Sequence, residues 1–200
     1  MLNYRVDPMW GQPCSAYHLQ YRFSDAALRQ ISVIQDKLEN VVGGLRRVPQ
    51  SAIHLTVITL LHSQLGFEAD EMWLQNRERW THGLLQVSAS AQPVSLRLDT
   101  VKAFDTAIVL MTANCAGLQT LRQTIVEELA LPRAASVPHI AHTSLFRYET
   151  LDIAEHQHPE SLISASALDI QISEVLLVRE TIYPSLKSEI LGRFRLAPQR

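Results

Sequence analysis

Two short stretches of the sequence decide the fold: HLTVITL at residues 54–60 and HTSLFRY at residues 142–148. The first is rich in β-branched residues and is apolar on both sides apart from His54 and two threonines, which is typical of a central β-strand. Each stretch begins with a histidine that is followed two positions later by a hydroxyl residue, Thr56 or Ser144. Side chains two positions apart in a strand point to the same face, so each stretch predicts an imidazole beside a hydroxyl.

Each stretch comes after a strand and a helix. Residues 17–23 alternate strictly between apolar and polar, which predicts a strand, and the helical apolar spacing that follows ends at the glycine pair 43–44. Residues 107–113 predict another strand, and the apolar residues after it, spaced by three and four, predict a helix that ends at Pro132. A strand–helix–strand unit that occurs twice indicates an internal duplication.

The rest of the chain predicts further helix and strand without a linker or a low-complexity segment. Residues 68–87 have the pattern of a helix, and residues 94–98 predict a strand that forms a hairpin with residues 107–113. Two late strands are predicted over residues 168–179 and 190–196.

Composition excludes several classes of protein. The 200 residues are 46% hydrophobic and 19% charged, which is enough apolar material for a core. The net charge of −2 argues against binding nucleic acid or a membrane through bulk charge. No glycine-rich nucleotide motif and no GxSxG elbow is present, and Cys14 and Cys115 are too few for a disulfide framework. With no hydrophobic signal core and no membrane-spanning run, we expect a cytoplasmic protein without a membrane partner.

Two such units packed about a pseudo-twofold axis would place two imidazoles and two hydroxyls across a groove. That arrangement suits displacement at phosphorus, where the attacking and leaving oxygens lie on opposite sides. One neutral imidazole, of His54 or His142, takes the proton of the attacking group while the other, as imidazolium, protonates the leaving group. The hydroxyls of Thr56 and Ser144 donate to the non-bridging oxygens. This chemistry needs no metal or cofactor, and the residues leave open which histidine is the acid.

Residues 54–57 and 142–145 resemble the two HxTx/HxSx tetrads of the 2H phosphoesterase superfamily. Its members include bacterial RNA 2′,3′-cyclic phosphodiesterases, the 2′-5′ RNA ligase-like enzymes, and plant-type cyclic phosphodiesterases. The resemblance extends from the strand at Tyr17 to the last strand at Phe194. It implies an α+β fold in which two antiparallel sheets flank a central cleft, with helices outside.

The resemblance also implies one domain over residues 1–200. Its two lobes cover roughly residues 15–90 and 91–196, with terminal strands exchanged between them. It implies a catalytic pair, His54 and His142.

By the same resemblance, Thr56 and Ser144 hold the phosphate. The implied activity is hydrolysis of a cyclic 2′,3′-type or 2′-5′ phosphodiester on a small nucleotide or RNA end, by a monomer without an obligate protein partner.

Three further residues bear on the second motif. Arg147 matches an arginine often found at that place in the family, although a strict two-residue period puts it on the opposite face from His142. Tyr148 is a candidate for stacking on a base, so we predict Arg147 and Tyr148 as further substrate-binding residues. His139 follows Pro138 and is an alternative second histidine, but it lacks the hydroxyl two positions later, which favours His142.

Two other functions compete with this one. A non-catalytic module of the same fold would bind RNA or a nucleotide, but it would tolerate the loss of the tetrads, and both are intact. A metal-dependent hydrolase would be built on the late histidines, His139, His142, His156 and His158.

Overall fold

The computed structural model describes residues 4–62, 68–131, 135–150 and 167–198. The helices are α1 (Asp25–Glu39), α2 (Glu68–Ser90) and α3 (Ala116–Leu129). The strands of the first half are β1 (Pro13–Tyr21), β2 (Leu45–Arg47) and β3 (Leu55–Leu61). Those of the second half are β4 (Val94–Leu98), β5 (Thr100–Ala103), β6 (Ala107–Thr112), β7 (Ala141–Tyr148), β8 (Leu168–Ile172), β9 (Glu174–Ile182) and β10 (Lys187–Arg195).

Over these ranges the strands form two four-stranded antiparallel sheets and a two-stranded ribbon. One sheet has the order β10-β9-β1-β3, the other has the order β2-β7-β6-β5, and the ribbon pairs β4 with β8. The predicted α+β fold with antiparallel sheets is therefore confirmed. The late strands β9 and β10 complete the sheet of β1 and β3, while the early strand β2 extends the sheet of β7.

The duplicated unit is visible in both sheets. In the first, β1 and β3 are antiparallel neighbours connected through α1, and in the second, β6 and β7 are antiparallel neighbours connected through α3. The side chain of Ser24 caps α1 by accepting a hydrogen bond from the Ala27 amide, with a nitrogen–oxygen distance of 3.3 Å. One hydrophobic core joins the two halves, and it includes Leu19 of β1 and Phe146 of β7, both fully buried.

One predicted pairing and the extent of one predicted strand are wrong. Residues 94–98 pair with β8 and not with β6, because the backbone groups of Phe104 and Ala107 bond to each other and close a tight hairpin between β5 and β6. The strand predicted over residues 168–179 is two strands that separate at Ser173, since β8 belongs to the ribbon and β9 to the sheet of β1. The apolar alternation of β8 ends at this break, where Ser173 and Glu174 are adjacent polar residues, and the next four residues are all apolar, so the sequence does mark the change.

None of the helices in the described ranges is long and apolar enough to cross a membrane.

Candidate active site

The two histidine motifs meet at one cavity of about 280 Å³ between β3 and β7. Five of the predicted residues line it: His54, Thr56, His142, Ser144 and Arg147. The remaining lining residues are His18, Val48, Ala52, Thr59, His62, Pro138, Glu180, Tyr183 and Pro184. A larger cleft of about 620 Å³, between the β4–β8 ribbon and the start of α3, contains none of the predicted residues.

Each histidine strand carries a β-bulge three residues after its histidine. In β3, Val57 is the extra residue, because its neighbours Thr56 and Ile58 pair with consecutive residues of β1. In β7, Leu145 is the extra residue, because the residues on either side of it pair with consecutive residues of β6. A bulge reverses the side-chain alternation beyond it, so the residue five positions after each histidine returns to the histidine's face.

The bulges correct the prediction for Arg147 and add Thr59 to the site. A strict two-residue period places Arg147 opposite His142, but the bulge at Leu145 brings it to the cavity beside Ser144. Thr59 stands at the same position relative to the first histidine and also lines the cavity. In the sequence, a hydroxyl or basic residue stands five positions after each histidine. In a regular strand this residue would point to the opposite face from the histidine, so its presence is the signal that could have indicated the bulges.

The imidazole of His54 is fixed by its backbone. Its Nδ1 lies 2.7 Å from the carbonyl oxygen of Ala52, which can only accept, so Nδ1–H donates and Nε2 is left for chemistry. Burial lowers the pKa of His54 to about 4. The Ala52 carbonyl opposes this shift, the charges of Arg22 and His18 add to it, and the Glu180 carboxylate opposes it.

The imidazole of His142 has a different electrostatic environment. Burial lowers its pKa to about 4, and the guanidinium charges of Arg147 and Arg122 lower it further. Both histidines are therefore neutral at pH 7 when the cavity holds no anion. A phosphate between them would favour the imidazolium of either one.

Arg147 is held in place by partners from distant segments. Its Nη1 lies 3.3 Å from Oδ2 of Asp7, and its guanidinium lies over the ring of Tyr183, 5.4 Å from the ring centroid. Its Nη2 donates to Oγ of Ser144 at 3.2 Å, so the Ser144 hydroxyl proton is left to point into the cavity. Sequence reasoning missed Asp7, which lies far from the motif along the chain.

A second polar chain lines the cavity on the side of β1. Nε2 of His18 lies 2.9 Å from Oε2 of Glu180, and Nδ1 of His18 lies 3.1 Å from Oγ1 of Thr59. Burial raises the pKa of Glu180, but the hydrogen bond and charge of His18 outweigh it, so the net pKa is lowered. His18 lies on the polar side of the alternating β1 segment, but nothing in the local sequence indicates that β9 brings Glu180 to it.

Two predicted residues lie away from the cavity lining. Tyr148 is 2% exposed, and its ring packs on that of Tyr4 with 5.1 Å between the centroids. His139 is exposed just before β7. The alternative metal cluster also needs His156 and His158, which lie outside the described residues. Within the described ranges no group of three or more His, Cys, Asp or Glu side chains is placed to hold a metal ion.

Comparison with solved structures identifies the fold. The chain superposes on the Thermus thermophilus protein TT0787 with a TM-score of 0.67 and 16% identity, over 92% of this chain and 100% of that one. A structure described as a phosphoesterase gives a TM-score of 0.63 and 14% identity, over 92% and 99% of the two chains. E. coli LigT crystallised with 3′-AMP gives a TM-score of 0.65 and 15% identity, over 92% of this chain and 99% of that one. Neither a protein-family model nor a curated protein sequence matches the chain. The fold that the two tetrads predicted, that of LigT and the phosphoesterases, is confirmed over nearly the whole chain.

Proposed function

We propose that this protein, which has the fold of the LigT-type phosphoesterases, is a phosphodiesterase that works without a metal. Its proposed substrate is a cyclic 2′,3′-type or 2′-5′ phosphodiester on a small nucleotide or RNA end. The observation that carries this proposal is the meeting of His54, Thr56, His142, Ser144 and Arg147 around one small cavity. As the sequence predicts, we expect the enzyme to be a cytoplasmic monomer.

The groups around the cavity match the needs of a phosphodiester. The Arg147 guanidinium supplies a fixed positive charge, the Ser144 hydroxyl keeps its proton for a non-bridging oxygen, and Thr56 lines the same cavity with a second hydroxyl. A cavity of about 280 Å³ suits a phosphate with its attached sugar and not a long polynucleotide. The crystal structure of E. coli LigT with 3′-AMP supports a nucleotide as the class of substrate.

We propose a role for each histidine from the groups that surround it. Because two guanidinium groups disfavour the imidazolium of His142, that residue is the neutral base that takes a proton from water. The charges of Arg22 and His18 also oppose a proton on His54, and its pKa of about 4 equals that of His142, but the Ala52 carbonyl and the Glu180 carboxylate favour the proton, so we propose His54 as the acid. A phosphodiester anion in the cavity raises the pKa of His54 from this low value and so favours its protonated form.

The reaction then balances without another reactant. The water oxygen forms a bond to phosphorus as its proton moves to Nε2 or Nδ1 of His142. The opposite P–O bond breaks, and its electron pair leaves with the ribose oxygen, which takes the proton from Nε2 of His54. Exchange of one proton with solvent at each histidine restores the starting state.

A substrate panel tests the proposal. The protein is incubated with 2′,3′-cyclic nucleotides, 2′-5′ dinucleotides and 3′-5′ dinucleotides, and the products are identified by mass spectrometry and chromatography. We expect hydrolysis of a member of the first two groups and no cleavage of the 3′-5′ linkage. Binding without turnover across the panel would contradict the proposed activity and indicate a nucleotide-binding module.

A further inference from the structure

The two bulged residues have their carbonyls bound by buried side chains from helices. The carbonyl oxygen of Val57 in β3 accepts from Nε of Arg122 at 2.6 Å. The carbonyl oxygen of Leu145 in β7 accepts from Nε2 of Gln35 at 2.9 Å. Arg122 and Gln35 are both 0% exposed. A bulge disrupts the ladder locally, and Arg122 gives the Val57 carbonyl a partner, while Gln35 is a second donor to the Leu145 carbonyl, which also accepts from the Val48 amide at 3.0 Å.

The two contacts cross between the halves of the molecule. Gln35 belongs to α1 of the first unit but bonds to β7 of the second, and Arg122 belongs to α3 of the second unit but bonds to β3 of the first. Each side chain thus reaches the histidine strand of the opposite half.

Each side chain also bonds to the segment that leads into the histidine of its own half. Gln35 Nε2 donates to the carbonyl of Val48 at 3.0 Å, ahead of His54. Arg122 donates to the carbonyls of Pro138 at 2.8 Å and Ile140 at 3.1 Å, ahead of the second histidine. Arg122 therefore connects β3 to the segment that leads into β7, whereas Gln35 connects β7 to the segment between β2 and His54.

We infer that Gln35 and Arg122 are positioning residues: Gln35 fixes β7 against the segment between β2 and His54, and Arg122 fixes β3 against the segment that leads into β7. Without Gln35, the bulge in β7 is no longer fixed and the alternation beyond it is free to reverse, which turns Arg147 away from the cavity. Without Arg122, the same happens in β3 and displaces Thr59. The consequence for catalysis rests on the proposed function, whereas the contacts and the orientation of Arg147 do not.

The test compares Gln35→Leu with a matched loss of another buried hydrogen bond. Leucine has a similar volume and removes both donor bonds. The control is Trp80→Phe, since Trp80 is also 0% exposed and donates Nε1 to a backbone carbonyl, that of Leu129 at 3.1 Å, but does not line the cavity. Urea denaturation measures the free energy of unfolding of both variants, so that their losses of stability can be compared.

The decisive measurement is the pKa of His142, obtained by NMR titration of its imidazole. A merely structural role of Gln35 would leave this pKa unchanged. Arg147 contributes to the low pKa of His142, so displacement of Arg147 moves that pKa up towards 6.5 in Gln35→Leu. The pKa stays at the wild-type value in Trp80→Phe. In turnover, we expect KM for the substrate found by the panel to rise about ten- to a hundredfold in Gln35→Leu only, because a charge-assisted contact to the phosphate is lost.

A second variant covers the case in which Gln35→Leu does not fold. Gln35→Glu has nearly the same shape and keeps an acceptor for Arg47, but it has no amide protons for the two carbonyls.

Arg122→Lys tests the role of Arg122. It keeps the buried charge, but its single nitrogen cannot span both strands, so kcat/KM falls about tenfold with little change in the His142 pKa.

The possible outcomes separate this inference from the proposed function. An identical His142 pKa in wild type, Gln35→Leu and Trp80→Phe would overturn the role of Gln35. Wild-type kcat/KM in Arg122→Lys would overturn the role of Arg122. A raised His142 pKa in a protein that hydrolyses nothing in the panel would support the positioning role and remove the proposed reaction.

Discussion

The pair formed by Asp7 and Arg147 yields a prediction with a calculable size. Asp7 is 7% exposed, and its Oδ2 lies 3.3 Å from Nη1 of Arg147. At an effective dielectric constant of about 20, the attraction at this distance is about 5 kcal/mol before desolvation is counted. Removing one partner of a buried pair costs about 3–5 kcal/mol, because the other charge stays buried without its partner. Asparagine at this position keeps an acceptor for the amide of Met9, so we expect Asp7→Asn to lower the free energy of unfolding by about 3 kcal/mol.

Phosphate should reverse part of this loss. In the variant the guanidinium lacks its carboxylate, and a bound anion replaces that charge. Inorganic phosphate should therefore stabilise Asp7→Asn more than it stabilises the wild type, by mass action on the folded state. Urea denaturation with and without phosphate measures both effects.

The matched control is an exposed pair of the same type. Arg97 and Asp169 lie 3.4 Å apart with side chains that are 63% and 72% exposed. Such a pair contributes at most about 1 kcal/mol, so Asp169→Asn should change stability little and should not alter the effect of phosphate. If Asp7→Asn costs no more than Asp169→Asn, and phosphate stabilises both equally, the assignment of Arg147 as the anion-binding charge is refuted.

Two further predictions concern pH and metal. The pKa values of His54 and His142 are lowered from 6.5 to about 4 in the folded state, so the unfolded chain binds more protons between these values and the free energy of unfolding falls as the pH drops from about 6.5 to about 4. Urea denaturation at several pH values should show a weaker dependence in the double variant His54→Gln/His142→Gln, and an unchanged dependence would contradict the buried neutral state. Turnover should persist after dialysis against a strong chelator, and loss of activity that added zinc restores would return the late histidines His156 and His158 to consideration.

The parts of the site that the sequence predicts are those encoded within a single strand. His54 with Thr56, and His142 with Ser144, share a face because the side-chain period holds over two residues. Arg147 departs from that period because of the bulge at Leu145, whose carbonyl accepts a hydrogen bond from Gln35 of α1. The change of sheet between β8 and β9, by contrast, is marked in the sequence, because the alternation ends at the adjacent polar residues Ser173 and Glu174.

The residues that the sequence did not predict arrive from distant elements. Asp7 comes from the segment before β1, and Glu180 comes from β9, with its partner His18 on β1. Their positions depend on the exchange of late strands into the first sheet, which no local pattern encodes. Buried partners such as Gln35 and Arg122 are equally hidden, because they lie on helices whose apolar spacing is ordinary.

The most direct test of paired-histidine catalysis compares His54→Gln and His142→Gln on two forms of one substrate. The first form is the phosphodiester that the panel identifies, and the second carries sulfur in place of the oxygen at the bond that is cleaved. On the oxygen substrate, each variant should lose about 10²–10⁴-fold in kcat, the usual worth of one proton transfer. A thiolate leaves without needing a proton, so His54→Gln should regain most of its rate on the sulfur substrate while His142→Gln should not. Equal rescue of both variants, or near-normal turnover of either one on the oxygen substrate, would contradict the account.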